Sequence, residues 1–266
     1  MKSRRLRPLA LSFLLLPLLV LSAFANSDNS VNLGTASGYG VLAGSTVTNT
    51  GSSVLTGNVG VWPGIAVTGF PPGIVVGGAI HAGDAVAQTA QSDLTTAYNS
   101  AMGLSPSATL TGKNLGGMTL TPGVYFFANS AQLTGALTLN PLGNPNAVFV
   151  FQIGSTLTTA SASSVIFSNS LADSNVYWQV GSSATLGTAT AFEGNILALT
   201  SITLNTGASI GCGSALAING AVTLDNNVIG GGCSSGTTTV PEPGTLGLLG
   251  TGVVLLAGAV RRRLRV

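Results

Sequence analysis

Apolar and polar residues in the central part of the chain alternate in short runs that are typical of β-strands. A Thr-Leu unit begins at Thr138, Thr156, Thr185, Thr203 and Thr223, which gives steps of 18, 29, 18 and 20 residues. Successive side chains of a strand point to opposite faces, so each leucine is expected to point inwards and the flanking threonines outwards. Steps of this size, with strand-forming residues and glycines between them, indicate a stack of β-coils.

The buried side of this stack is expected to hold a ladder of leucines. Its members are Leu157, Leu186, Leu204 and Leu224. The outer side becomes a flat face rich in threonine and alanine, in which neighbouring strands lie about 4.8 Å apart.

The longest step contains residues Asn169–Gln179, which we interpret as an extra strand and turn inserted into one coil.

One segment has a helical period instead. Between His81 and Met102 the apolar residues follow steps of three and four, which predicts an amphipathic α-helix. These apolar positions are Ala82, Val86, Ala90, Leu94, Ala97, Tyr98 and Ala101. Asp84 near the start suits the positive end of the helix dipole, and Gly103 and Pro106 mark the end. We expect the helix to pack along the coils and to cover part of their apolar surface.

The first 25 residues have the three-part pattern of a secretory signal peptide. Basic residues come first, an apolar run from Leu9 to Leu21 follows, and Ala23-Phe24-Ala25 forms a small-x-small cleavage site. The basic residues are Lys2, Arg4, Arg5 and Arg7. A membrane-spanning helix is the alternative, which the shortness of the run and Pro17 disfavour. We therefore predict export of a folded domain that comprises residues 26–233.

The end of the chain carries a second targeting signal. Residues 234–244 form a linker with the motif Pro241-Glu242-Pro243, and residues 245–266 form an apolar helix followed by arginines. The arginines would stay in the cytoplasm while the short apolar segment sits in the inner membrane. The arrangement resembles the PEP-CTERM sorting tag of Gram-negative bacteria, which implies exosortase-type processing and a transient inner-membrane association. An ordinary C-terminal anchor is the alternative.

The chain between these two signals is acidic, although the whole sequence has a net charge of +2. Residues 26–235 hold six acids against a single base, Lys113, so their formal charge is −5. The acids are Asp28, Asp84, Asp93, Asp173, Glu193 and Asp225. Nucleic-acid binding requires clustered lysine and arginine, so we exclude a nucleic-acid partner.

The residue pattern predicts neither catalysis nor a cofactor or metal site. The acids are scattered and Lys113 is alone, which argues against an enzyme that cleaves carbohydrate or uses a nucleophile. His81 is interpreted as a residue at the helix start, because no second histidine or carboxylate cluster accompanies it. Cys212 and Cys233 are expected to form a disulfide in an exported protein, with two buried free thiols as the alternative.

Several ordered blocks between Val31 and Cys233 resemble the microbial ice-binding, antifreeze-type domain family. The blocks are Asn32–Ala36, Thr46–Gly51, Gly60–Pro72, the predicted helix, Leu120–Tyr125, Ala147–Ile153, Trp178–Thr185 and Phe192–Ala198. The resemblance implies a mainly β fold, a discontinuous β-solenoid of triangular section with one long α-helix packed alongside. It also implies that the N-terminal segment stacks out of sequence order.

The same resemblance implies a flat ice-binding face with a loose Thr-Ala/Gly-x-Thr/Asn pattern. Four segments match its first position, and in each the last position departs from Thr/Asn. They are Thr159-Ala160-Ser161-Ala162, Thr188-Ala189-Thr190-Ala191, Thr206-Gly207-Ala208-Ser209 and Thr50-Gly51-Ser52-Ser53. The residues expected to face ice are Thr50, Ser52, Thr159, Ser161, Thr188, Thr190, Thr206 and Ala208.

Two functions fit this sequence. The first is an ice-binding protein, expected to be a monomer, that is exported to the cell envelope or outer surface, or secreted, and restrains ice growth or recrystallisation. The second is an exported structural or adhesive solenoid of the cell surface or biofilm matrix without ice affinity. Threonine alone does not separate them, because it is a good strand residue on any half-exposed β-surface.

Overall fold

The structure, a computed structural model, describes residues 31–168 and 175–230. The predicted signal peptide, the linker with Pro241-Glu242-Pro243, the C-terminal apolar helix and Cys233 lie outside the described residues. The described part of the chain contains three parallel β-sheets, one α-helix and a short 3-10 helix at Gly34–Gly38. We call the sheets A, B and C and number the strands in chain order.

Sheet A has nine strands, and the α-helix lies against its outer side. In spatial order they are β7 (Ile80–Ala82), β4 (Asn58–Val61), β1 (Tyr39–Ala43), β22 (Ala215–Ala217), β19 (Asn195–Ala198), β16 (Val176–Val180), β13 (Phe149–Ile153), β10 (Gly123–Phe127) and β8 (Ala108–Thr109).

Sheets B and C form the other two sides of the molecule. Sheet B runs β11 (Ala131–Leu133), β14 (Leu157–Thr159), β17 (Ala184–Leu186), β20 (Ile202–Leu204), β23 (Val222–Asp225), β2 (Thr46–Thr50) and β5 (Ala66–Thr68). Sheet C runs β6 (Ile74–Val76), β3 (Val54–Thr56), β24 (Val228–Ile229), β21 (Ser209–Ile210), β18 (Ala191–Phe192), β15 (Ser164–Phe167), β12 (Ala136–Leu139) and β9 (Thr119–Leu120).

The coils stack out of sequence order, as predicted. Strand β2 pairs with β23, with Thr48 opposite Thr223, and β3 pairs with β24, with Leu55 opposite Ile229. The N-terminal coils therefore stack on the last described coil, and this junction lies inside each of the three sheets. The discontinuous, three-sided β-solenoid predicted from the sequence is confirmed.

The interior confirms the buried leucines but corrects their alignment. Leu157, Leu186, Leu204 and Leu224 are at most 1% exposed. Three of them form one ladder through β17, β20 and β23, whereas Leu157 pairs with Ala184. Strand β14 is displaced by two residues relative to the sequence repeat, so Thr159 instead of Leu157 lies in line with Leu186.

Two further details of the repeat are corrected. The unit at Thr138 belongs to β12 of sheet C, so it lies on a different side from the others. Val176–Val180 is the ordinary sheet A strand of its coil and not an extra one. The longer coils gain their length between sheets C and A: nine residues separate β12 from β13, whereas two separate β18 from β19.

Helix α1 spans Ala85–Gly103 and confirms the helical prediction. Asp84 caps its N-terminus, because Oδ1 accepts a hydrogen bond from the Ala87 N–H at 2.9 Å. Ala87 is buried whereas Val86 is 52% exposed, so the start of the buried face differs from the prediction. The buried side of the helix packs with sheet A residues such as Leu42 and Leu197. Within residues 31–168 and 175–230, no helix is long and apolar enough to span a membrane.

Candidate functional site

The outer side of sheet B carries an unbroken ladder of threonines. In five of its seven strands the central outward residue is threonine, and β5 adds Thr68 at its end. Each of these residues lies opposite the next one in the strand pairing: Thr158, Thr185, Thr203, Thr223, Thr48 and Thr68. All six are exposed or half-buried. Adjacent hydroxyls therefore repeat at the strand spacing of about 4.8 Å.

A second column of small residues runs parallel to this ladder. It lies two residues earlier in each strand or just before it, a distance of about 6.7 Å along an extended chain. Its members, starting at the outermost coil, are Ser130, Thr156, Ser183, Ser201, Ala221, Thr46 and Ala66, and each is exposed or half-buried. The two columns together make a regular grid of hydroxyl and methyl groups.

The eight residues predicted to face ice do not include the threonine ladder, although Thr185, Thr203 and Thr223 were expected on the outer face of the stack. The sequence signal for the ladder is a triplet with a threonine between two apolar residues, such as Ile202-Thr203-Leu204. The first and third residues of this triplet are buried and the threonine is half-buried. The family pattern begins later, at the last strand residue for Thr50 and Thr159 and in the following turn for Thr188 and Thr206.

Five of the eight predicted ice-facing residues are exposed. They are Thr50, Ser52, Ser161, Thr188 and Thr206. They lie at or next to the turns that join sheet B to sheet C, which we call the B–C edge (residues 51–53, 160–163, 187–190, 205–208 and 226–227). Backbone hydrogen bonds connect these turns, for example from Ala162 N–H to Thr188 O at 2.9 Å. The exposed residues therefore form a third column along the border of sheet B.

The other three predicted residues have buried side chains, so the prediction is corrected for them. Thr159, Thr190 and Ala208 are 3%, 0% and 0% exposed. Thr159 takes the inward position that Leu186 occupies in the next coil. Thr190 and Ala208 follow a turn residue with positive φ, Ala189 and Gly207 respectively, after which the chain points them into the interior. These side chains cannot contact an ice surface.

Charge is nearly absent from this surface. Among the described strands of sheet B, Asp225 is the only charged residue, and it lies at the end of β23 beside the B–C edge. Its carboxylate accepts a hydrogen bond from the hydroxyl of Thr206. Lys113 lies beyond the outer end of the ladder, near Gln132. The central part of the grid thus has no ionised group that would order water differently from ice.

Glu193 does not belong to this surface. It follows β18 of sheet C, and its Oε2 accepts a hydrogen bond from the Cys212 N–H at 2.6 Å. Burial raises the pKa of Glu193 above its ordinary value of 4.5, although the bond from Cys212 acts in the opposite direction. The charged form is therefore disfavoured in the fold.

A Glu193→Gln variant is expected to change the pH dependence of stability. A raised pKa contributes stability below the unfolded value, near 4.5, and this contribution is lost as the pH rises through the folded value. Glutamine keeps an acceptor for Cys212 and removes the titration. Urea unfolding is measured at pH 4 and pH 7. The free energy of unfolding of the variant minus that of wild type should be larger at pH 7 than at pH 4. An equal difference at both pH values would contradict this assignment.

Two other predicted features take the following places. His81 lies in β7, with Nδ1 2.8 Å from Asp84 Oδ2, so it supports the residue that caps the helix. In the described residues, no group of three or more His, Cys, Asp or Glu is placed to hold a metal ion. Cys212 lies between sheets C and A, but Cys233 is outside the described residues, so the disulfide stays a prediction.

The PEP-CTERM protein-sorting motif matches residues 239–263, which confirms the predicted sorting tag. Together with the relatives described next, it indicates an exported protein, placed at the cell surface or secreted.

The fold and sequence are similar to those of known ice-binding proteins. An ice-binding protein of Nostoc sp. (strain HG1) is 56% identical over 259 residues, which cover 95% of this chain and 96% of that protein. The crystal structure of an ice-binding protein from an Antarctic biological consortium has a TM-score of 0.72 and 48% identity, and covers 75% of this chain and 90% of that one. The crystal structure from the Antarctic ascomycete Antarctomyces psychrotrophicus has a TM-score of 0.73 and 40% identity, and covers 77% and 100%. The model of the ice-binding-like family matches residues 41–230, and the chain belongs to this family.

Proposed function

We propose that this protein adsorbs to ice through the outer side of sheet B together with the exposed residues of the B–C edge. The observation that carries the proposal is the ladder of six stacked threonines, from Thr158 to Thr68, in a grid without charge at its centre. The five exposed residues among those predicted, Thr50, Ser52, Ser161, Thr188 and Thr206, border this grid.

Such a grid suits an extended solid better than a small ligand. The hydroxyl groups can hold water in fixed positions, while the threonine methyls and the alanines limit competing hydration. The strands are held in place by backbone hydrogen bonds across the whole sheet, so little conformational freedom is lost on adsorption. A large, rigid and uncharged face can therefore replace the deep pocket that a soluble ligand requires.

Adsorbed protein would block the growth of the crystal surface between molecules. The expected effects are a lowered freezing point and slower recrystallisation outside the cell. Exosortase-type sorting would deliver the domain there, after a transient association of the C-terminal segment with the inner membrane. The protein acts in this proposal as a monomer, without catalysis, cofactor or metal.

The proposal is tested on the purified segment from Asn26 to Ser235 with Thr188→Tyr and Thr206→Tyr variants. The wild-type segment should shape ice crystals and slow recrystallisation, and each variant should do so less, because a tyrosine at the border keeps the ice surface away from the adjoining grid. Unchanged activity in both variants would remove the B–C edge from the site. Binding to polysaccharide or to cells without any effect on ice would instead support a structural role in the matrix.

A further inference from the structure

Polar side chains line the inside of the B–C edge, although the rest of the solenoid interior is largely apolar. They are at most 5% exposed: Asn49, Ser53, Thr159, Ser163, Thr190 and Asn227. Most of them bond to the neighbouring coil; Asn227 Nδ2, for example, donates to Ala208 O at 2.8 Å. A buried polar group without a partner costs about 1–3 kcal/mol, so these bonds have to be made for the edge to be stable.

Thr159 and Thr190 form a chain of hydrogen bonds between two coils. The Gly187 N–H donates to Thr159 Oγ1 at 2.8 Å, and Thr159 Oγ1 lies 2.8 Å from Thr190 Oγ1. Thr190 Oγ1 donates to Ala160 O at 3.2 Å. With Thr159 as the donor to Thr190, each of the two hydroxyls donates one hydrogen bond and accepts one. The first and the last residue of the 187–190 turn are therefore both attached to the preceding coil.

The turn held in this way carries Thr188 on its outer side. The next residue, Ala189, has a φ of 55°, a left-handed conformation that costs a non-glycine residue about 1–2 kcal/mol. The turn has one backbone hydrogen bond of its own, from the Thr190 N–H to Gly187 O at 3.1 Å, and its bonds to the adjoining coils help to offset the cost of this conformation. The backbone of Thr188 and Ala189 also joins the adjoining turns, through Ala162 on one side and Thr206 on the other.

We propose that Thr159 and Thr190 are positioning residues for the ice-binding face. Both side chains are buried and touch no ice, but their hydroxyls fix the turn that presents Thr188 in line with Ser161 and Thr206. The inference rests on the proposed function of this face. It assigns a role in activity to two threonines that the sequence pattern had placed on the surface itself.

The test compares Thr190→Val, which keeps the shape of the side chain and loses the hydroxyl, with Thr190→Ser, which keeps the hydroxyl. Ser214→Ala is the matched control, because Ser214 is 1% exposed and its Oγ donates to Tyr39 O at 2.6 Å, away from the B–C edge. Wild type and variants are purified in the same form. Thermal hysteresis near 0 °C and the free energy of unfolding are measured for each.

Thr190→Val should lower hysteresis to less than half the wild-type value, whereas Thr190→Ser retains most of it. Ser214→Ala should lose stability with hysteresis unchanged. Wild-type hysteresis in Thr190→Val would overturn the positioning role. A loss of hysteresis in Ser214→Ala in proportion to its loss of stability would also overturn it. If the wild-type chain itself has no hysteresis, the proposed function fails first, and this is distinct from an active wild type with an equally active Thr190→Val.

Discussion

Replacing Thr203 with tyrosine is expected to reduce ice activity to a small fraction of the wild-type value. Thr203 lies near the middle of sheet B, with Thr185 and Thr223 opposite it in the adjacent strands. A phenol ring there would stand above the level of the threonine groups. Ice could then no longer approach the neighbouring hydroxyls within the roughly 3 Å that a hydrogen bond requires. Thermal hysteresis at matched protein concentration measures the effect.

The same substitution at Thr138 is the control for this experiment. Thr138 is a half-buried threonine of sheet C, where it lies between Thr119 and Ile166 in the strand pairing. Thr138→Tyr should leave ice activity near the wild-type value. Both variants should unfold with a free energy within about 0.5 kcal/mol of wild type, as is usual for surface substitutions. Equal loss of activity in the two variants would contradict the assignment of the site to sheet B.

Replacing Trp178 with alanine is expected to cause the largest loss of stability, about 3–5 kcal/mol. Trp178 is fully buried and stacks on Phe151, with ring centroids 3.8 Å apart. It also contacts Phe192 and donates from Nε1 to Glu193 O at 3.0 Å. The variant leaves a cavity and removes the hydrogen-bond donor of the Glu193 carbonyl beside it. Urea unfolding followed by circular dichroism measures the change.

The other tryptophan provides a control on the same chain. Trp62 is half-buried and follows β4 in sheet A. Trp62→Ala should cost about 1 kcal/mol, a typical value for a point mutation. Equal losses in the free energy of unfolding of the two variants would contradict the large stabilisation assigned to the stacked aromatic residues inside the solenoid.

The sequence predicted the elements of this fold better than their alignment. The helical period identified α1, and the alternation around Leu186, Leu204 and Leu224 identified three strands of sheet B, because both patterns are local. The predicted alignment of β14 with Leu186 was wrong. Leu157 and Thr159 both point inwards, so the alternation of the strand does not show which of them lies in line with Leu186. Only the pairing of Leu157 with Ala184 decides between them, and that pairing depends on coil length.

The candidate site shows the same division between local and non-local information. The family pattern located the B–C edge and its exposed residues, such as Thr188 and Thr206. It could not show that Thr190 points inwards, because that depends on the positive φ of Ala189. Nor could it show that Thr48 lies beside Thr223, since the two are brought together only by out-of-order stacking.

Partition of the protein into slowly growing ice tests the central claim most directly. The domain is fused to a fluorescent protein, ice is grown slowly from a dilute solution, and fluorescence is measured in the ice and in the remaining liquid. We predict that the wild-type fusion becomes concentrated in the ice, while the Thr203→Tyr fusion stays in the liquid with the fluorescent protein alone. Exclusion of the wild-type fusion from ice, or equal uptake of the Thr203→Tyr fusion, would contradict adsorption through the threonine ladder of sheet B.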